Sequence, residues 1–396
     1  MTHRLLQTSA VCVALALAAF TRPAAQADPA SYIARIEGPQ APAAGELDAL
    51  SLAQLMEHFH VPGVSVAVIH DFQVHWAKGY GSADVVTGAA VGRETVFQAA
   101  SISKPVAAMG VLKAAQDGRI DLDDDVNVIL TSWKVPAGDG PSSPPITPRA
   151  LLSHTSGAGD GFRFPGYHPD VLRPTVVQIL NGARPSNVGP VLFARPPYRA
   201  FKYSGGGVTI MQLAMSDLYG REYPLLIHDL VLGPLGMTRS FYEQPLSREH
   251  DRNAARAHDA EGRAMDAKWH VYPELAAAGL WTTPTDLATF AVELQQSLRG
   301  RSARVLRRET AREMIAPVGV GPFAVGLQIA KTGEGWYFSH GGSNWGFRAA
   351  LTGHVRQGYG AAVMTNADRG GQLADVILRR IAAAYGWDSL DKPLPR

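Results

Sequence analysis

The sequence predicts an α/β (α+β) protein, in which an antiparallel sheet is flanked by helices and a mostly helical region is inserted into the chain. Strand-like apolar runs lie near both ends of the chain, and short polar or glycine turns join them. Helical patterns and long loops rich in proline and glycine occupy about residues 92–309. We therefore expect one domain over residues 45–391, with its sheet built from about 45–91 and 310–391.

The first 27 residues have the pattern of a secretory signal peptide. A basic start at Arg4 precedes an apolar run from Val11 to Phe20, and small residues follow this run. The alternative of a transmembrane anchor is weaker, because a membrane span needs roughly 20 apolar residues. We expect cleavage after Ala27, a periplasmic or secreted protein, and no stable membrane insertion after cleavage. Residues 28–44 are expected to form a lead-in linker.

Composition limits the possible partners and cofactors. The chain has 37 Lys and Arg against 35 Asp and Glu, and two of the arginines lie in the predicted signal peptide, so the remainder has no net charge. A nucleic-acid partner would require a concentrated basic surface and is not expected. The single cysteine, Cys12, also lies in the signal peptide, which excludes disulfides and cysteine nucleophiles from the mature protein. No cofactor or metal site is expected, since the histidines lack ligand spacing.

The individual elements follow from apolar periodicity. Residues 45–61 have leucines at helical spacing, and residues 64–81 contain two strand-like runs that turn at Asp71-Phe72. A helix after Thr283 has Pro284 in its first turn and an acid, Asp286, where a capping box places one. Four more strands and a closing helix are predicted at residues 323–331, 336–342, 347–355, 359–366 and 372–386.

The segment SISK places Ser101 at the entry of a helix that is expected to run to about Gln116 and to end at Gly118. Lys104 lies one turn along the same face, so its amine can reach the serine hydroxyl. Burial and the helix dipole are expected to lower the pKa of this amine, which lets it act as a base for a serine nucleophile. Alone the pattern is weak, since S-x-x-K arises by chance about once in a few hundred residues.

The segment YSGGG places Tyr203 before a run of glycines. A phenol near Ser101 can act as a general acid or base, or pass a proton to a leaving group. The glycines allow the backbone and a substrate to approach closely. By itself, a core tyrosine beside a loop is the simpler interpretation.

The segment HGGSNWGF places two glycines, Gly341 and Gly342, beside a predicted strand. Paired glycines permit a close approach of the backbone. The N–H of Ser343 can join that of Ser101 in binding a developing oxyanion. His340 precedes the glycines. The tripeptide His-Gly-Gly, considered alone, is weak evidence of a functional site.

In this order, the segments SISK, LLSHTSG, YSGGG, AAGLWTTPTDLATF and HGGSNWGF resemble the class C β-lactamase-related serine hydrolases. This penicillin-binding-protein-like group includes family VIII carboxylesterases, D-aminopeptidases and DD-peptidases, and the resemblance covers about residues 45–385. It implies a β-lactamase/transpeptidase-like fold, an acyl-enzyme intermediate and no cofactor. It does not identify the substrate, since one scaffold serves many acyl groups.

The resemblance makes Ser101 the acylated nucleophile and makes Lys104 and Tyr203 the proton-transfer pair, without deciding which of the two is the main base. It makes residues 340–342 the substrate-side strand and implies that the backbone N–H groups of Ser101 and Ser343 bind the oxyanion.

Two positions depart from the family pattern. Gly205 stands where the family has Asn, so a side-chain amide that would bind a substrate amide is missing. His340 stands where the third motif has Lys, and a histidine is mostly neutral at pH 7. Both departures disfavour substrates that carry a carboxylate and an acyl-amide group.

Two further segments offer competing assignments. Lys331-Thr332-Gly333 spells the family's third motif literally, but the two strands that should follow this motif come after His340 instead. We predict that these three residues form a hairpin turn.

His154 in LLSHTSG suggests a Ser-His triad. Lys104 already supplies a base, however, and we expect a structural role for this histidine.

We therefore expect an exported serine hydrolase, a carboxylesterase or amidase, that acts through an acyl-enzyme on small esters or amides. One alternative is a β-lactamase or DD-peptidase that acts on cell-wall-type peptides. Another is a penicillin-recognising binding protein that is acylated but does not turn over. In each case the partner is a small ester, amide or peptide.

Overall fold

The computed structural model describes residues 28–41, 45–136, 144–159 and 164–387, so the predicted signal peptide lies outside the described residues. The strands within these ranges are β1 Gly63–His70, β2 Gln73–Asp84, β3 Ala89–Ala90, β4 Phe97–Gln98, β5 Trp281–Thr282, β6 Gln328–Thr332, β7 Gly335–Asn344, β8 Phe347–His354 and β9 Gly360–Thr365. The α-helices are α1 Pro29–Glu37, α2 Leu52–His58, α3 Ser103–Gln116, α4 Pro148–Leu152, α5 Val176–Asn181, α6 Gly205–Tyr219, α7 Tyr223–Ile227, α8 Gly233–Leu235, α9 Arg248–Asp251, α10 Leu275–Ala278, α11 Pro284–Leu298, α12 Arg308–Ala311 and α13 Gly370–Tyr385.

The larger sheet in the described chain has the strand order β3-β2-β1-β9-β8-β7-β6, and its neighbouring strands are antiparallel. The central strand β1 joins the two ends of the chain, because Ala67 pairs with Ala77 of β2 on one side and with Ala362 of β9 on the other. This sheet with its flanking helices confirms the predicted fold class.

Both faces of the sheet are buried. Side chains alternate along β1, so that Val66 and Val68 enter one apolar core while Ala67 and Ile69 enter the other. The first core also contains residues of α1, α2 and α13, and the second contains residues of α3, α6 and α11. Burial on both faces explains why β1 is a nearly continuous apolar run.

Part of the predicted linker over residues 28–44 is a helix instead. Asp28 accepts a hydrogen bond from the N–H of Ala30 at 3.0 Å, and Pro29 occupies the first position of α1. The ring of Tyr32 stacks on Tyr385 of α13 with centroids 4.0 Å apart. Residues 29–37 of this lead-in are therefore helical, because the segment has a helix cap and an apolar surface to bind.

Arg380 of α13 fixes the chain that follows α1. Its guanidinium is buried and donates to the carbonyl oxygens of Gly38 at 3.1 Å, Leu47 at 2.9 Å and Leu50 at 2.7 Å. These carbonyls lie in the chain between α1 and α2, so one side chain satisfies several backbone acceptors at once.

Two predicted elements are shorter in the structure. The helix expected over 45–61 is a 3-10 turn, Glu46–Ala49, followed by α2, because Ser51 and Gln54 form a capping box that begins a new helix. The strand expected over 323–331 begins only at Gln328. Gly326 has φ 86°, which turns the chain before the strand, and a β-carbon there would lie 2.5 Å from Ala108 Cβ.

Helix α11 begins where predicted, but its acid has another role. The Thr283 side chain accepts from the N–H of Asp286 at 3.2 Å, as a cap does. The Asp286 carboxylate does not complete the capping box, because it accepts from the N–H of Arg239 at 2.9 Å and from the hydroxyl of Ser240 at 2.7 Å.

No helix within the described ranges is long and apolar enough to cross a bilayer.

Glu274 is a buried acid at the start of α10. Its backbone carbonyl accepts from the N–H groups of Ala277 at 3.0 Å and Ala278 at 2.8 Å, which begins the helix. Among the described residues, neither of its carboxylate oxygens has a hydrogen-bond partner, and burial raises its pKa from 4.5 to about 7. Between about pH 4.5 and pH 7, the folded protein therefore binds a proton at Glu274 that the unfolded chain releases.

We predict that Glu274 makes stability depend on pH. Because its pKa is raised in the folded state, its stabilising contribution is complete below pH 4.5 and is lost as the pH rises through about 7. Between pH 5 and pH 8 the wild type should lose about 2 kcal/mol of unfolding free energy relative to Glu274→Gln. Urea unfolding at both pH values measures this difference. Glu57→Gln, on the exposed side of α2, is the control, and an equal pH dependence of all three proteins would contradict the prediction.

Candidate active site

A tight turn positions Ser101. Strand β4 pairs with β5, and the N–H of Ala99 donates to Leu280 O at 2.8 Å, so the chain enters the turn from a fixed direction. Ala100 has φ 50°, which is uncommon for a residue other than glycine. The predicted helix entry is thus a 3-10 turn, Ala100–Ile102, directly before α3.

Ser103 ties this turn to the segment that follows α10. Its hydroxyl donates to Ala100 O at 2.5 Å and accepts from the N–H of Leu280 at 3.0 Å. The residue is completely buried, so the two bonds satisfy the hydroxyl without water. The nucleophile turn and the α10 segment therefore keep a fixed relative position.

The structure brings Ser101 and Lys104 together. The Lys104 Nζ lies 3.0 Å from Ser101 Oγ and 2.7 Å from the carbonyl oxygen of Ala277. Lys104 is 1% exposed and Ser101 is half-buried, so the amine is enclosed while the hydroxyl is open to a substrate. This is the arrangement that a serine with a neighbouring base requires.

Tyr203 lies on the other side of Ser101. Burial raises the pKa of its phenol, and a hydrogen bond with Ser101 opposes this rise. The Lys104 Nζ lies 5.0 Å from the centre of the Tyr203 ring. Tyr203 is therefore a neutral phenol at pH 7 within reach of the same hydroxyl as the lysine.

Strand β7 passes beside this group and leaves one of its edges open. Its pairing with β6 ends at Ser339, whereas its pairing with β8 continues to Asn344. A β-carbon at Gly342 would lie 2.2 Å from Ala99 O, so only glycine allows the strand to approach the nucleophile turn this closely. A β-carbon at Gly341 would lie 4.0 Å from Ala349 O and would meet no nearer atom of the described residues outside its chain neighbours. Of the two glycines, only Gly342 is required by this contact.

Asn344 holds the end of β7 against the same turn. Its amide donates to Gln98 Oε1 at 2.8 Å and to Ala278 O at 3.1 Å. These two residues belong to β4, which leads into the turn that contains Ser101, and to α10, which contains the carbonyl that accepts from Lys104. The N–H of Ser343, beside Asn344, thereby keeps a fixed position relative to Ser101.

His340 is uncharged at neutral pH. Burial and the charge of Lys104 lower its pKa to about 3, although a hydrogen bond to Gly341 O partly opposes the change. Its Nδ1 donates to Gly341 O at 2.7 Å. No positive charge is available at this position of the strand.

His154 lies behind Tyr203. Its ring centroid is 4.2 Å from that of Tyr203, and its Nδ1 accepts from the N–H of Ser204 at 3.2 Å. Burial, followed by the charge of Lys104, holds its pKa well below the usual value. The histidine therefore supports the tyrosine from the interior, as expected for a structural residue.

Lys331 lies away from these residues. It is exposed on β6, pairs with Trp336 of β7, and precedes a turn at Gly333 and Glu334. Gly333 has φ 56°, which the turn requires. Thr332 ends the strand, so the literal K-T-G leads into a hairpin turn at the outermost strand of the sheet.

Sequence reasoning missed the groups that hold the site together. The carbonyl of Ala277 accepts from Lys104, Ser103 links two segments, and Asn344 fixes β7. Backbone acceptors leave no residue signature, and a serine or asparagine gains such a role only from its neighbours in space. The described residues contain no cluster of three or more side chains suited to a metal ion.

Comparisons with known proteins identify the family of this chain. The Beta-lactamase family model matches residues 51–386. Penicillin-binding protein 4 of Amycolatopsis lactamdurans is 28% identical over 327 residues, which cover 78% of this chain and 82% of that protein. Protein flp of Staphylococcus aureus is 28% identical over 232 residues, 57% of this chain, and the match spans only 42% of flp.

Solved structures share the fold. The octameric penicillin-binding protein homologue from Pyrococcus abyssi has a TM-score of 0.69 at 23% identity, over 87% of this chain and 78% of that one. A D-amino acid amidase from Ochrobactrum anthropi has a TM-score of 0.62 at 22% identity, over 84% of this chain and 99% of that one. With the family model matching most of its length, the chain belongs to the Beta-lactamase family, a family of serine hydrolases.

Proposed function

We infer that this protein is an exported serine hydrolase that forms an acyl-enzyme at Ser101 and acts on small esters or uncharged amides. The observation that carries this inference is the 3.0 Å contact between Ser101 Oγ and the buried Lys104 Nζ. The phenol of Tyr203 forms a hydrogen bond with the same hydroxyl. Export rests on the pattern of the first 27 residues, which makes the protein periplasmic or secreted.

The reaction has two stages. In the first, Ser101 Oγ attacks the substrate carbonyl while Lys104 in its neutral form takes the hydroxyl proton, and the backbone N–H groups of Ser101 and Ser343 bind the oxyanion. Tyr203 passes a proton to the leaving alcohol or amine, and the lysine returns a proton to the tyrosine. In the second stage, water attacks the acyl-enzyme by the same route and releases the carboxylic acid.

The polarity of the strand beside the nucleophile favours uncharged substrates. A carboxylate on the substrate would meet the neutral ring of His340 instead of a permanent cation. Gly205 presents no amide to a substrate amide group. An ester needs neither group, because the oxyanion donors activate its carbonyl and its alcohol leaves readily.

A second candidate is a β-lactamase or DD-peptidase. The unpaired edge of β7 beyond Ser339 supports it, since an extended peptide can add to such an edge through backbone hydrogen bonds. Several relatives are named as penicillin-binding proteins. The two candidates use the same nucleophile and differ in the acyl group that they accept.

We predict that a fluorophosphonate probe labels Ser101. The label should disappear in Ser101→Ala and persist in Ser153→Ala, because Ser153 is buried and donates to Arg149 O at 2.8 Å. Mass spectrometry of the labelled peptide locates the modification. A label on Ser153 or Ser156 would show that the nucleophile is misassigned.

We predict opposite outcomes at the two tripeptides of the final sheet. Gly342→Ala should lower kcat/KM at least a hundredfold, about 3 kcal/mol of transition-state stabilisation, because its β-carbon would displace Ala99 and the nucleophile turn. Lys331→Ala should leave kcat/KM within about twofold, since its side chain is exposed. A hundredfold loss in Lys331→Ala would move the third motif to residues 331–333.

We predict that the protein prefers an ester to a β-lactam. The kcat/KM for p-nitrophenyl butyrate should exceed that for a chromogenic cephalosporin at pH 7, because the cephalosporin carries a carboxylate that no cation meets at His340. A tenfold preference for the cephalosporin would assign the protein to the β-lactamases. Stable acylation by the cephalosporin without turnover of either substrate would favour the penicillin-recognising binding protein.

A further inference from the structure

The ring of Phe164 occupies the space beside Gly205. A β-carbon built on Gly205 would lie 2.4 Å from Phe164 Cε2 and 2.7 Å from Cζ. β-Carbons in proteins do not approach other atoms this closely, so Gly205 cannot carry a side chain while the phenyl ring is in place. The phenyl ring of Phe164 therefore packs where a side chain at position 205 would lie.

Gly205 and Phe164 adjoin the catalytic groups. Gly205 is two residues after Tyr203, whose phenol forms a hydrogen bond with Ser101. The Ser204 side chain is buried and accepts from the N–H of Gly207 at 2.8 Å, and its N–H donates to His154. Gly205 therefore begins α6 directly after this cap, two residues from Tyr203, with the Phe164 ring against it.

Backbone hydrogen bonds hold the segment that contains Phe164, and its side chain is partly exposed. Three residues later, Tyr167 exchanges two backbone hydrogen bonds with Val271, at 2.9 Å and 2.8 Å. Gly166, which lies between Phe164 and Tyr167, has φ 71°, and a β-carbon there would lie 2.7 Å from the Tyr272 ring. The phenyl ring packs on the main core yet is only partly buried, so part of it remains accessible.

We propose that Phe164 determines acyl specificity by forming an apolar wall beside Gly205, so that the site selects apolar acyl groups and disfavours those with an amide next to the carbonyl-bearing carbon. This proposal rests on the function inferred above and names its substrate class. An apolar acyl chain gains contact with the phenyl ring. An amide in the same place loses its hydrogen bonds to water and finds no partner on the ring.

A pair of substrates of equal shape tests the proposal. The p-nitrophenyl ester of 4-methylpentanoic acid has a CH and a CH₂ where that of N-acetylglycine has an amide carbonyl carbon and an N–H, so the two differ mainly in polarity. The wild type should favour the first by about tenfold or more in kcat/KM, the discrimination expected when a buried amide is left without partners. Rates are corrected for spontaneous hydrolysis of each ester.

Variants assign the preference to Phe164. Phe164→Ala should lower the ratio of the two kcat/KM values about tenfold, and Phe164→Ala combined with Gly205→Asn should lower it further, since the vacated space admits an amide side chain. Gly205→Asn alone should impair both substrates, because the phenyl ring blocks its β-carbon. Phe164→Leu retains an apolar wall and should retain the ratio, which also guards against a folding defect in the alanine variant. Leu172→Ala, a residue that is 78% exposed, is the matched control and should leave the ratio unchanged.

The outcomes separate this proposal from the proposed function. If the wild type hydrolyses both esters through Ser101 but Phe164→Ala leaves their ratio within twofold, Phe164 does not set specificity and the hydrolase assignment stands. A wild type that favours the N-acetylglycine ester likewise overturns the apolar wall. If the wild type turns over neither ester and takes no fluorophosphonate label, both proposals fail together.

Discussion

The buried amine of Lys104 is the constraint on which the site depends. An amine enclosed by protein must have acceptors, since a buried polar group without partners costs free energy. The hydroxyl of Ser101 supplies one acceptor from the 3-10 turn directly before α3, and Ala277 O supplies another from a segment 173 residues further along the chain. The site is therefore complete only when α3 and α10 have docked, which Ser103 secures by bonding Leu280.

Burial also sets the charges around this amine. The ring of His154, the ring of His340 and the phenol of Tyr203 all lie close to the lysine, and burial disfavours the charged form of each. The charge of Lys104 further lowers the pKa of both histidines. The result is a site in which neutral rings surround one amine, and this environment supports the proposed preference for uncharged substrates.

The sheet brings the two halves of this arrangement together. Its central strands come from both ends of the chain, and β7 approaches the nucleophile turn from the sheet side while α3, α6 and α10 approach from the helical side. The close contact of Gly342 with Ala99 is where these two parts meet. A change at that contact would alter the distance between the backbone N–H groups of Ser101 and Ser343, although it leaves every polar side chain of the site intact.

The sequence by itself determined the fold class, the family and the order of the motifs. Apolar alternation marks strands, and S-x-x-K places Lys104 about one turn after Ser101, because both patterns are local. Only the tertiary structure decided which glycine the close approach requires, which carbonyl holds Lys104, and that Phe164 fills the space beside Gly205. It also decided that residues 29–37 form a helix that stacks on α13. These contacts join residues that are distant in the chain, so their geometry depends on the packing of the whole domain and leaves no periodic or spaced signal in the sequence.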